Sequence, residues 1–144
     1  MKLIIGTDED RAVVAAIAKR LEDKGHTVRV LPVGAWAAVA SEVAHAVARG
    51  DADQGVVCCW TGTGVTIAAN KVRGVRAALC PDAQTAAGAR KWNDANVLGL
   101  SLRLLSEPIA HEIVEAWLET KYGGSEDESL AVIRREEGAA GRPV

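Results

Sequence analysis

Residues 56–71 read VVCCWTGTGVTIAANK, and several groups capable of chemistry are gathered in this one stretch. Cys59 ends an apolar run, Trp60 and Thr61 follow, and Gly62, Thr63 and Gly64 lead into a helical pattern. Glycines at such a turn let successive backbone N–H groups converge on one point, and the helix N-terminus behind them adds positive potential. An anion, or a negative charge that develops during a reaction, is stabilised there. A thiol in the same field ionises more readily, which suits Cys59 to act as a general base. The competing reading makes Cys58 and Cys59 small apolar core residues. A dinucleotide loop fits less well: G-x-G-x-x-G wants a third glycine near Ile67 and Ala68, and that fingerprint normally follows the first strand.

Further candidate groups follow the other apolar runs: Thr7, Asp8 and Glu9 after the first, Cys80 and Asp82 after VRAAL, Ser101 and Arg103 after NVLGL. Asp8 would also suit a cap on the next helix. These residues meet only if the runs are strands of one sheet that end on the same side. The runs KLIIGT, TVRVLPV, QGVVCCW, VRAALC and NVLGLSL alternate with amphipathic segments such as RAVVAAIAKRLEDKG and PIAHEIVEAWLETKYGG. In the first helix Val13, Ile17 and Leu21 recur at helical spacing, while Arg11, Lys19, Arg20 and Asp23 face away. The strand runs are β-branched and lack alternation, as in strands covered on both faces, so a doubly wound parallel sheet is predicted. Ligands of such sheets lie at the carboxyl ends of the strands. After Tyr122, Ser125 and the acids behind it predict a last short helix to about Glu137, with GAAGRPV frayed. Leu130, Val132 and Ile133 of that helix need a surface to cover them, and a neighbouring subunit is the expected host.

At 144 residues the chain fits one domain with a core that needs no staple. With 17 basic and 19 acidic residues it has no electrostatic footprint for nucleic acid or an acidic membrane. No run approaches membrane-spanning length, and MKLIIGTDED lacks a signal-peptide core, so a soluble cytoplasmic protein is expected. Cys58, Cys59 and Cys80 are an odd set without CxxC spacing, which predicts reduced thiols and neither disulfide nor zinc. His26, His45 and His111 stand alone and are placed in no site.

The segment TGTG-x-x-IAANK-x-x-G-x-RAALC, then NDANVLGL and AWL, resembles the ribose-5-phosphate isomerase B and galactose-6-phosphate isomerase family from Met1 to about Tyr122. The resemblance implies a Rossmann-like three-layer αβα domain over residues 1–122 with a five-stranded parallel sheet, and a C-terminal helix and tail over 123–144. It implies homodimers or tetramers with sites between subunits, and aldose–ketose isomerisation through an enediolate without metal, nucleotide or other cofactor. Cys59 then matches the family's cysteine base, Thr61 the threonine of C-G-T-G, and Gly62, Thr63 and Gly64 the anion hole. Asp8 matches the aspartate of D-H-x-G, Asn93 the asparagine of H-N-D, and Arg103 an arginine that contacts phosphate.

The departures are as informative. Glu9 stands where the family has the histidine of D-H-x-G, Trp92 where it has the histidine that helps open the sugar ring, and Trp60 where it has a glycine. After YGG, where the family carries phosphate-binding arginines, the chain reads SEDESLAV, with Arg134 and Arg135 further on. A reshaped pocket is expected, with Glu9, Trp60 and Trp92 lining it and a substrate shifted from ribose 5-phosphate toward a smaller or unphosphorylated sugar. The alternative is a non-catalytic sugar-binding subunit completed by an unlike chain, since the family includes hetero-oligomers.

Overall fold

The computed structural model describes residues 1–138, and the tail expected to fray lies outside them beyond Gly138. Strands and helices alternate as β1 (Lys2–Thr7), α1 (Ala12–Asp23), β2 (Thr27–Val30), α2 (Trp36–Ala48), β3 (Gln54–Cys59), α3 (Thr63–Ala69), β4 (Ala77–Leu79), α4 (Ala83–Asn93), β5 (Val97–Ser101), α5 (Glu107–Glu119) and α6 (Asp127–Gly138). Every strand pair is parallel, and the order across the sheet is β2-β1-β3-β5-β4. This is the three-layer αβα arrangement that the alternating pattern predicts, with α6 following it.

Alternation along each strand splits the core in two. Leu3, Ile5, Cys58, Leu98 and Leu100 pack with Ile17, Leu21, Ala86, Ile113 and Trp117 of α1, α4 and α5. Ile4, Val57, Cys59 and Val97 pack with Val43, Val47, Val65 and Ala69 of α2 and α3. The neighbouring cysteines therefore face opposite helix layers. Coverage on both faces holds for β1, β3 and β5 but not for the sheet's edges. β2 is largely exposed and β4 only partly buried, because an edge strand has a neighbour on one side alone.

Two local expectations are corrected. Asp8 does not cap α1: the Thr7 hydroxyl donates to the Glu9 carbonyl at 2.9 Å and accepts from the Glu9 amide at 3.3 Å, which holds Asp8 in a turn ahead of the helix. The N-cap is Arg11, which makes no side-chain cap bond, and α1 has no acid in its first turn. Ser125 makes no side-chain bond among the described residues. The Tyr122 hydroxyl instead accepts from the Glu126 amide at 3.1 Å and donates to Asp127 at 2.8 Å. Of the apolar residues of α6, Leu130 is buried against its own chain while Val132 and Ile133 remain exposed.

The amino end of the sheet is closed by polar bonds. Arg76, just before β4, donates to the carbonyls of Asn93 (3.2 Å) and Asp94 (2.8 Å) and pairs with the Asp94 carboxylate at 2.8 Å. Asn96 accepts from the Arg76 amide and donates to the Gly74 carbonyl, both at 2.8 Å. The buried Trp117 indole donates to Gln54 Oε1 at 2.8 Å.

Candidate active site

The strand order reverses direction between β1 and β3, and open α/β sheets place their ligands outside the carboxyl ends at such a point. There Thr7 pairs in register with Cys58, and Cys59 with Ser101 of β5. The continuation of β5 fixes the residues after β3. The Leu102 amide donates to the Cys59 carbonyl, and the Arg103 amide and the Ser101 hydroxyl both donate to the Trp60 carbonyl, each at 3.0 Å.

The turn into α3 requires glycine at one position in particular. Gly62 has φ +74°, and a Cβ there would lie 2.5 Å from Leu79 Cδ1 and 2.8 Å from the Leu100 carbonyl carbon. Both backbone and space exclude a side chain. The Thr61 and Thr63 hydroxyls sit 2.7 Å apart, and the Thr66 hydroxyl donates back to the Gly62 carbonyl at 2.7 Å. The first amides of α3 (Thr63, Gly64, Val65) have no acceptor inside the helix and present donors at the same turn.

Cys59 is buried, 6% exposed, among Ile4, Val43, Val57 and Val65. Burial pushes the Cys58 thiol up to about 12, with Cys59 and Asp8 adding to the shift, and burial with Asp82 raises Cys80 to about 12 as well. Those two thiols stay protonated. Asp8 is raised from the ordinary carboxylate range by burial first and by Glu9 second, and among the described residues its Oδ1 is buried without a partner. A ligand hydroxyl would satisfy that oxygen.

Glu9 is not free, because its Oε2 accepts from Arg11 Nε at 2.8 Å and is ion-paired with Nη2 at 2.8 Å. The Arg11 guanidinium lies over the Trp60 indole, 5.3 Å from the ring centroid. Arg103 is exposed beside Trp60 and takes part in no ion pair among the described residues. Sequence reasoning missed Arg11, since an arginine at a helix start reads as a solvated surface residue. It also missed Trp36, whose ring lies against Gly64 closely enough that a Cβ there would be 3.0 Å away. The signal for Trp36 was a tryptophan opening a helix next to a glycine loop, legible only once α2 and α3 are known to pack together.

The chain does not bring all its candidates together. Asp8, Glu9, Cys59, Trp60, Thr61, the Gly62–Gly64 turn and Arg103 share the carboxyl end. Trp92 and Asn93 end α4, which runs back against the strands, and the Arg76 bonds fix them at the amino end. Trp92 packs over Gly88 beside a cavity of about 540 Å³ that also takes in Leu79 and Asp82.

A parallel three-layer sheet with a thiol, unpaired carboxylate oxygen, hydroxyls and open amides at its switch point has the build of a small-molecule α/β enzyme. The family description Ribose/Galactose Isomerase matches residues 3–133, and the chain belongs to that family of sugar-phosphate isomerases. Ribose-5-phosphate isomerase B of Escherichia coli (strain K12) is 40% identical over 115 residues, 75% of this chain and 76% of that one. The D-erythrulose-4-phosphate isomerase of Pectobacterium atrosepticum is 44% identical over 86 residues, 60% of this chain and 57% of that one. The solved ribose-5-phosphate isomerase B of Clostridium thermocellum superposes with a TM-score of 0.93 at 34% identity, covering 98% of this chain and 100% of that one.

Proposed function

We propose that this isomerase interconverts an aldose and a ketose through an enediolate, with Cys59 as the base. As thiolate, Cys59 takes the proton from C2 of the aldose and becomes a thiol. The negative charge left on the enediolate oxygen meets the Thr61 hydroxyl and the amides of Thr63, Gly64 and Val65. The thiol then returns the proton to C1 while a hydroxyl proton passes between O2 and O1, which yields the ketose. Asp8 Oδ1 bonds a substrate hydroxyl. The observation that carries this reading is the placement of Cys59 at the end of the central strand, immediately before the Gly62 turn.

The substrate is shifted toward one that needs no ring opening. The two positions where the family has histidines hold Glu9, engaged by Arg11, and Trp92, an indole. A four-carbon sugar 4-phosphate has no free hydroxyl placed to close a five-membered ring, so it reaches the site in open form. The Pectobacterium relative is named for such a substrate. Trp92 and Asn93 reach a site only from a second copy, so the working form is a homodimer or a tetramer of dimers, with α6 covering its exposed Val132 and Ile133 on the partner. The reading as a non-catalytic subunit of an unlike pair is less favoured, because relatives over three quarters of the chain are named as enzymes.

The test is NMR of deuterium entering C1 or C2 of tetrose, pentose and hexose sugars, with and without phosphate, in D2O. Exchange by wild type that Cys59→Ala abolishes supports the reading, with the tetrose phosphate exchanging fastest. Exchange that survives Cys59→Ala removes Cys59 as the base, and no exchange across the panel removes the activity.

A further inference from the structure

The N-terminus of α1 breaks a local rule. A helix start favours Ser, Thr, Asp or Asn at the cap and acids in the first turn, because unpaired amides and the helix dipole make that end positive. Here the N-cap is an arginine, no side chain caps the helix and the first turn has no acid. A cation at the positive end of a helix is unfavourable where it stands, and such local conflicts tend to mark functional positions. Nor does the Glu9 pair account for it, since Arg11 and Glu9 side chains are 45% and 36% exposed and pairs that open to water contribute little.

The guanidinium is nevertheless held in one place. Glu9 takes Nε and Nη2, the Trp60 face lies beneath it, and the Trp60 backbone is pinned by Ser101 and Arg103. Three of the five guanidinium N–H donors are left without a partner among the described residues. Trp60 directly follows Cys59 in the chain, so these donors lie at the carboxyl end of the sheet, the end where β3 finishes. Arg103 supplies a second cation next to the same indole. Residues 123–129 supply none, for they carry Glu126, Asp127 and Glu128.

We propose that Arg11 binds the anionic terminus of the substrate, a phosphate monoester, and that Trp60 and Glu9 are positioning residues that hold its guanidinium for this. This rests on the isomerase reading for its substrate but names a group outside the proton-transfer machinery. Planar, multi-donor recognition of phosphate is what arginine does and lysine does not. Stacking on an indole restricts the guanidinium before the substrate arrives, which lowers the ordering cost on binding.

The experiment compares wild type, Arg11→Ser, Arg11→Lys and Trp60→Leu on erythrose 4-phosphate and on erythrose, with calorimetric titration of inorganic phosphate beside the kinetics. Arg11→Ser should lower the phosphorylated-to-unphosphorylated ratio of kcat/KM by about tenfold or more, chiefly through KM, as expected for loss of a charge-assisted bond. Arg11→Lys should recover little of it, and Trp60→Leu should lower the same ratio less. Serine is a better cap than arginine, so the Tm of Arg11→Ser should be no lower than that of wild type, which separates lost recognition from lost folding. Phosphate binding should weaken in parallel. A ratio unmoved in Arg11→Ser, or a wild type that exchanges both sugars without preferring the phosphorylated one, overturns the proposal while leaving Cys59-dependent exchange standing. If wild type exchanges no sugar yet binds phosphate through Arg11, the isomerase reading fails and this one survives.

Discussion

The two ends of the sheet are built from similar residues and used in opposite ways. At the amino end, Arg76, Asp94 and Asn96 form a closed set of bonds, and Trp117 satisfies Gln54 in the core. At the carboxyl end, Asp8 Oδ1 is buried without a partner among the described residues, the α3 amides point outward, and Arg11 lies over a half-exposed tryptophan. Unmade bonds cost stability. Arg90 Nε and His111 Nε2 are also buried without a partner among the described residues, so what sets the carboxyl end apart is an open acceptor beside free helix amides and a half-exposed indole.

Substitutions at the two ends should therefore fail in different ways. Cys59→Ala should lower kcat by roughly 10²–10⁴, the usual range for a lost general base, with little change in Tm. Cys58→Ala, one residue away on the other core face, should keep kcat and lose stability only. Circular dichroism melts beside a coupled isomerase assay resolve the two.

Gly62→Ala should cost about 2–4 kcal/mol in denaturant unfolding, because a left-handed backbone and a clash act together. Activity should fall with it, since the same turn aims the amides. At the other end, Trp117→Phe leaves Gln54 Oε1 buried without its donor and should cost about 1–3 kcal/mol while kcat stays at the wild-type value.

The smallest effect concerns Asp8. Its carboxyl is raised in the folded chain by burial and by Glu9, so the folded state holds that proton more tightly than the unfolded state does. The associated stability is present below the ordinary carboxylate range and is lost as pH rises through the folded value. Asp8→Asn should thus melt higher than wild type at neutral pH and match it near about pH 3, where both states are protonated. A higher melting point at both pH values would show that something other than the charge is responsible.

Much of this contrast was legible in the sequence. The alternation of strand runs with amphipathic segments set the sheet, and Cys59 before T-G-T-G marked the site, because those signals are local. The burial of both faces did not extend to β2 and β4, since a run of Thr27 to Val30 does not say whether it lies at an edge. Arg11 over Trp60 and Trp36 over Gly64 were not legible, for each joins residues far apart in the chain. Trp92 and Asn93 read as companions of Cys59, yet α4 runs back along the sheet and carries them to the other end.

That separation gives the most direct test of the account, which holds that the carboxyl end of one copy and the amino end of another make one site. Cys59→Ala and Asn93→Ala chains, each poorly active alone, are mixed under conditions where subunit exchange is verified by mass spectrometry. For a shared dimer site, half the chains form mixed dimers with one intact site in two, so activity should return to about a quarter of wild type. No recovery in verified mixed dimers would contradict the account and leave Asn93 outside the site.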